Sequence, residues 1–461
     1  MIAIPSAQPI ARVRPSRRVL IGGALVAAIG GLLFGFDTVA ISGANDALEK
    51  LFKLDEMRQG FTVAIAIVGT IVGVFAVGRA SDRFGRKKVL FALAVCFFAS
   101  SLGCGLARNW PEFLFFRFLA GLAIGGASMV TPMYIAEISP PRLRGRLVMV
   151  NQLNIVVGVL LAFVSNYAIA HCFAFDVAWR WMFGLLTLPS GAFFFLIFTV
   201  PESPRHLVKK GRLSEARRVL EQLGDENVEN ELAAIQASLA DQPGHVQERL
   251  FGPPYWRFVF LAGAMAAFNQ LTGINAVLYY GPNIFRIAGA LRESSLLQSI
   301  AMGGTLLVFT VVAMFIIDRF GRRILLRIGS VGMATCKFLL AAAFSNGENV
   351  NGGLVLGALI GFIAFFAVSQ GAVMFVFISE VFPNAVRAKG QSFGTIVHWS
   401  MAAVVTQCFP WVAKHCVASG FAFFGAMMVL QFLFSWRMMP ETKGAALEDI
   451  GRRTAIATEP T

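Results

Sequence analysis

Twelve apolar runs, each close to the length needed to cross about 30 Å of hydrocarbon, constrain this chain more than any other feature. They lie near residues 19–43, 59–78, 89–107, 112–135, 147–170, 181–200, 257–285, 296–317, 324–344, 353–380, 388–412 and 418–438. A backbone inside a bilayer must satisfy its own hydrogen bonds, and segments of this length do so as helices. The expected fold class is therefore an all-α membrane protein with twelve transmembrane helices. Only 14% of the 461 residues are charged, against about a quarter in soluble domains, which excludes an ordinary soluble enzyme. The Arg-rich start (Arg12, Arg14, Arg17, Arg18) leads directly into a run of spanning length from Val19, so that run is read as a retained helix and not as a cleaved signal peptide.

The net charge of +14 is topological. With both termini on one side, 30 of the 40 Lys and Arg fall in the tails, the even-numbered connections or the run ends that adjoin them, 8 fall opposite, and 2 (Arg117 and Lys337) lie deep within runs. This bias predicts cytoplasmic termini, in a plasma membrane or, in a Gram-negative bacterium, the inner membrane. It leaves no basic surface that calls for nucleic acid. The expected division is a cytoplasmic tail (1–18), a six-helix half (19–200), a polar linker (201–256), a second six-helix half (257–438) and a second tail (439–461). Periodic Leu, Ala and Val among charges in the linker predict two or three short cytoplasmic helices punctuated by Gly211, Gly224 and Pro243-Gly244, with a flexible linker as the alternative.

The halves repeat in parallel. Asp82-Arg83-Phe84-Gly85-Arg86-Lys87 recurs as Asp318-Arg319-Phe320-Gly321-Arg322-Arg323, 236 residues on, and Glu137 with Arg144 recurs as Glu380 with Arg387, 243 residues on. Parallel repeats of this kind build transporters that rock one half against the other around a central site. Basic residues at a membrane face can be orientation signals alone, but orientation needs neither acids nor glycine. We expect charge networks among Asp82, Arg83, Arg86, Glu137, Arg144, Asp318, Arg322, Glu380 and Arg387, acting as a cytoplasmic latch between the halves.

Two further groups lie within the runs. Asp37 and Arg117 each stand about six residues from the outer end of their run, hence both about 9 Å inside the boundary at about 1.5 Å per residue, where they can meet as a proton-coupling pair or as a permanent ion pair. No GxxxxGK[ST] loop is present, so an ion gradient is the remaining source of drive. Amides at Asn151, Gln152, Asn154, Asn269, Gln270 and Asn275, with Phe34, Phe375 and Trp399 in other runs, suit a small polyhydroxyl ligand: amides pair with hydroxyls and rings cover the apolar face. Interhelical hydrogen bonding is the alternative. Gln270 and Asn275 are too far apart on a straight helix to aim together, so Gly273 is expected to break the span.

The runs GRASDRFGRKK (78–88), PMYIAEISPPRLRG (132–145), PESPR (201–205), QLTGIN (270–275) followed by Tyr279-Tyr280, and PET (440–442) resemble the sugar porter family of the major facilitator superfamily over nearly the whole chain. The resemblance implies a twelve-helix major facilitator fold that carries a monosaccharide by alternating access. It implies sugar contacts at Gln152, Gln270 and Asn275, with Phe375 and Trp399 against the ring. It also implies proton coupling at Asp37 and Arg117, since facilitative glucose carriers have Asn in place of that Asp. The family pattern is not met at Asn269 (usually Gln), Leu306 (Asn), Phe375 (Trp) and His398 (an amide), which leaves the cargo open among sugars and polyols. His398 itself reads as a packing residue, a sugar ligand or a proton-coupling group.

No metal or redox spacing appears among the six cysteines, so no cofactor is expected beyond the proton as coupling ion. Cys172 and Cys416 lie near outer loops, where a bridge is conceivable. The outer segment 44–58, with Asp46, Glu49, Asp55 and Glu56, is read as a solvated connection. The overall expectation is a sugar–proton symporter, sufficient as a monomer; a facilitative uniporter, and more remotely a transporter-like sugar sensor, are the competing readings.

Overall fold

The computed structural model describes residues 17–224, 227–240, 249–345, 347, 350–383 and 385–442, apart from the side chains of Arg17, Pro141 and Asp318. All regular elements among the described residues are helical. Five unbroken crossings open the chain: α1 (Arg17–Phe52), α2 (Glu56–Phe84), α3 (Arg86–Leu106), α4 (Trp110–Ile138) and α5 (Pro141–Cys172). The sixth is split into α6 (Phe175–Gly184) and α7 (Thr187–Leu196). Three short helices follow, α8 (Pro204–Lys209), α9 (Leu213–Leu223) and α10 (Val228–Ala240). The seventh crossing is α11 (Trp256–Leu271) with α12 (Ile274–Ile287), then come α13 (Arg292–Phe320) and α14 (Arg322–Ser345). The tenth is α15 (Gly352–Val368) with α16 (Gln370–Val381), and α17 (Arg387–His415) and α18 (Val417–Arg437) complete the set. Twelve crossings of spanning length and hydropathy result, and large apolar side chains such as Phe115, Phe195 and Phe315 face outward, as a lipid environment requires.

The helices outrun the apolar runs. Polar residues at a membrane face keep helical hydrogen bonds, so α2 continues through Asp82-Arg83-Phe84 until Gly85, at φ +98°, stops it; Gly321, at φ +85°, stops α13 the same way. At the opposite end, α1 runs on to Phe52 and only residues 53–55 separate it from α2, so most of 44–58 is helix and not a loop. The tenth crossing departs from the single helix that its apolar run suggests, because Ser369 (φ −118°, ψ −92°) breaks it. There the serine hydroxyl donates to the Phe365 carbonyl (2.5 Å), taking up an acceptor that the break would otherwise leave bare.

α1 packs on α5, α2 on α4 and α14 on α18, while α2 meets α17 and α5 meets α13 across the halves. The α2–α17 seam is close: a Cβ on Gly60 would lie 2.1 Å from the Gln407 carbonyl oxygen. In the linker, Leu207, Val208 and Ala216 form a small core covered by Leu232, Ile235 and Leu239. Gly211 and Gly224 take left-handed φ values of +74° and +80° between its helices; Pro243-Gly244 lies outside the described residues.

Candidate functional site between the two halves

Asp37 on α1 and Arg117 on α4 meet in the first half. Arg117 Nη1 donates to both carboxylate oxygens, at 3.0 and 2.8 Å, and the residues are 3% and 1% exposed. A fully desolvated pair like this is strongly destabilised if either charge is removed. One more ionisable residue within a crossing, Lys337 on α14, is also fully buried, its Nζ 3.4 Å from the centre of the Phe362 ring and without a hydrogen-bond partner.

The amides gather in the second half, at the elbow between α11 and α12. Gly273 turns the chain at φ +77°, and a Cβ there would come within 2.8 Å of the Phe424 ring, so both conformation and space require glycine. Thr272 bridges the break: its hydroxyl donates to the Asn269 carbonyl (2.7 Å) and accepts from the Ile274 N–H (3.1 Å). The elbow brings Gln270 and Asn275 together, with Asn275 Nδ2 donating to Gln270 Oε1 at 2.9 Å. Gln270 Nε2 lies 3.2 Å from Asn269 Oδ1 and 3.2 Å from His398 Nε2. His398 in turn packs against Phe375 and Trp399, with ring centres at 5.2 and 5.0 Å.

From the first half Phe34 reaches this group, its ring 6.0 Å from that of Trp399. Gln152 is exposed and makes no hydrogen bond to the amide group among the described residues. Its neighbours have structural roles: Asn154 Nδ2 donates to the Ala28 carbonyl (3.2 Å), and Asn151 is packed on Gly31 of α1. Leu306 is buried.

At the face that carries the termini, the repeated charges pair within their own halves among the described residues, as the latch reading expects of the state in which it is separated. Arg86 Nη2 donates to Glu137 Oε1 (2.9 Å), and Arg322 pairs with Glu380 at 3.1 Å. Asp82 lies 3.5 Å from both Arg86 and Lys209, Arg83 is exposed over the Phe84 ring, and Arg144 and Arg387 donate to the carbonyls of Ala136 and Phe382. The Asp318 side chain lies outside the described residues. Sequence reasoning missed the acids that complete these networks. Glu202 accepts from the main-chain N–H groups of Arg86 and Lys87, and Glu441 from those of Arg322 and Arg323. Ser203 and Thr442 donate to Glu137 and Glu380. The signal was present in the paired Pro-Glu-Ser and Pro-Glu-Thr triplets. His206 completes the first network, its Nδ1 3.4 Å from Arg86 Nη1, and burial beside that guanidinium lowers its pKa.

Among the described residues, the ion pairs that join the halves all lie at the opposite face. Asp46 pairs with Arg286 and Glu56 with Lys414, and beside them the Glu293 carboxylate lies 3.7 Å from His171 Nε2. Asn45 Nδ2 donates to the Tyr279 carbonyl (2.9 Å) and Gln407 Nε2 to that of Met57 (2.8 Å). The reading of 44–58 as a solvated connection is therefore corrected: it supplies much of the closure. Cys172 and Cys416 are free thiols.

Residues 23–453 match the family described as "Sugar (and other) transporter". The chain is 38% identical to the D-xylose-proton symporter of Escherichia coli (strain K12), covering 92% of this chain and 94% of that one. It is 35% identical to the arabinose-proton symporter of Bacillus subtilis, with 92% of each covered. The solved inward open conformation of the E. coli xylose transporter XylE superposes with a TM-score of 0.84 at 34% identity, covering 94% of this chain and 99% of that one. Sequence, repeat architecture and fold agree, and the chain belongs to the sugar transporter family of the major facilitator superfamily.

Proposed function

We propose that this multi-pass membrane protein imports a monosaccharide together with a proton by alternating access, with both termini in the cytoplasm. The relatives named as proton symporters support this reading, and the buried Asp37–Arg117 pair is the observation that carries it. Protonating Asp37 leaves Arg117 without its counter-charge in a dry site, a state that only a changed helix arrangement can relieve; proton uptake and rocking are thereby coupled. One proton moving down 100 mV supplies about 2.3 kcal/mol, enough for a roughly fifty-fold sugar gradient. Gln270, Asn275, Asn269 and His398 hold sugar hydroxyls from the second half, Phe34, Phe375 and Trp399 cover the ring, and Gln152 closes on it from the first half. With the termini inside, closure at the opposite face is closure toward the exterior, which makes this the inward-facing form. The charge networks at the terminus face then brace the helices of each half through the rocking motion.

The test is uptake of glucose, galactose, xylose, arabinose and inositol into energised vesicles, with and without an uncoupler, in wild type and Asp37→Asn. Accumulation of one sugar that both treatments abolish while exchange survives is the expected result. Equilibration insensitive to the uncoupler would instead identify a facilitative carrier with a purely structural Asp37–Arg117 pair.

A further inference from the structure

The amides at the elbow form a directed row. Asn275 Nδ2 donates to Gln270 Oε1, Gln270 Nε2 to Asn269 Oδ1, and Asn269 Nδ2 to Gln370 Oε1, at 2.9, 3.2 and 3.2 Å. Each donor points toward Gln370, the first residue of α16 after the Ser369 break. A side-chain amide can turn over and exchange its donor for its acceptor. Within the row it cannot, because one reversed amide would set nitrogen against nitrogen at its neighbour. The last member therefore fixes the polarity of all the others.

Gln370 is suited to be that last member. It is fully buried, and Asn269 Nδ2 also lies 3.3 Å from its main-chain carbonyl, which cannot turn over. Its own Nε2 has no partner. A buried donor without a partner is unfavourable, so a residue there only to fill space would be better as Met or Leu. The oxygen is the half of the amide in use.

We infer that Gln370 is a specificity-determining positioning residue: through Asn269 it fixes which elbow amide atoms donate to, and which accept from, the hydroxyls of the substrate. This rests on the reading that the amide row binds sugar. With the row anchored, Asn275 presents Oδ1 as an acceptor in a fixed place, and Gln270 aims its second N–H at the His398 side of the site, where a sugar hydroxyl competes with the imidazole for it; this suits one orientation of a hydroxyl over its epimer. Without the anchor, the amides turn to suit either.

The experiment is sugar exchange in proteoliposomes without a proton gradient, measuring half-saturating concentrations for the epimer pair glucose and galactose, together with thermal unfolding. Gln370→Met removes the oxygen at nearly constant shape; Gln370→Glu keeps an oxygen toward Asn269 in either protonation state. The expected outcome is a Gln370→Met protein that unfolds at or above the wild-type temperature and still exchanges sugar. Its epimer discrimination falls about fivefold, the worth of one neutral hydrogen bond, and Gln370→Glu restores it. An unchanged ratio in Gln370→Met means that the main-chain carbonyl suffices and overturns the inference. A fall in maximal rate and unfolding temperature with no change in the ratio assigns Gln370 a structural role and overturns it equally. If Gln370→Met does not fold, the Gln370→Glu ratio decides, since loss of discrimination with the oxygen retained contradicts the anchor. A wild type that exchanges neither sugar, nor xylose, arabinose or inositol, defeats the sugar-site reading itself, a failure separable from an unchanged ratio in an active protein.

Discussion

Asp46 in the first half and Arg286 in the second form an ion pair across the molecule, 240 residues apart in sequence, at the face opposite the termini. The pair is partly exposed, so it contributes about 0.2–1 kcal/mol. Removing it with Asp46→Asn is expected to shift the population toward the outward-facing form by up to about fivefold. Alkylation of Tyr279→Cys by an impermeant maleimide added outside reads this shift, and the charge-swapped pair Asp46→Arg with Arg286→Asp should reverse it. Unchanged labelling would mean that helix packing alone holds this face shut.

Loss of Asp37 strands the Arg117 guanidinium. Asp37→Asn is expected to lower stability by about 3–5 kcal/mol, and Asp37→Asn combined with Arg117→Met to recover most of that loss. Thermal unfolding in detergent checks both, and a single variant as stable as the double one would contradict the burial of the pair.

Gly85 cannot carry a side chain. Its φ of +98° and ψ of 164° belong to glycine, and a Cβ would lie 2.3 Å from the Glu202 carboxylate. Gly85→Ala should cost about 1–3 kcal/mol and slow transport, because Glu202 would be pushed off the start of α3. Gly22→Ala, which meets nothing within 4 Å and lies within a regular stretch of α1, is the control expected not to lower the unfolding temperature.

His206 sets an acid limit on the linker face. Burial depresses its pKa below 6.5, with Arg86 and Lys210 acting in the same sense and Glu202 and Glu137 opposing. The unfolded chain therefore binds the proton more readily, and the contribution of neutral His206 is complete above about pH 6.5 and lost as pH falls through the folded value. Melting temperature should fall between pH 7 and pH 5, and His206→Gln should flatten that slope. An equally steep slope in the variant would assign it to other groups.

The legible part of this molecule is what periodicity and depth encode. Twelve runs gave twelve crossings, counting residues from the outer ends was enough to bring Asp37 and Arg117 together, and the Gly273 elbow followed from two amides that no straight helix could aim alike. The Ser369 break was not read because its run carries no helical phase information, and the Ser369-Gln370-Gly371 interruption alone does not tell a break from a polar patch on a continuous helix. Asp46 and Glu56 read as loop acids because their partners lie 240 and 358 residues away, a separation no local pattern reports. The repeated charges announced networks but not their partners. Each network is completed by an acid that binds main-chain N–H groups, and the sequence marks those acids only through the paired Pro-Glu-Ser and Pro-Glu-Thr triplets.

The place of Glu202 in the chain also bears on biosynthesis. Among the described residues, the clasp over the start of α3 uses Asp82, Arg86, Glu137, Glu202, Ser203, His206 and Lys209, so it can close once residue 209 has been made. A nascent chain can lock its first six crossings before the ribosome has begun the seventh. The second half is different: its clasp waits for Glu441 and Thr442, so it is secured only once nearly the whole protein has been translated.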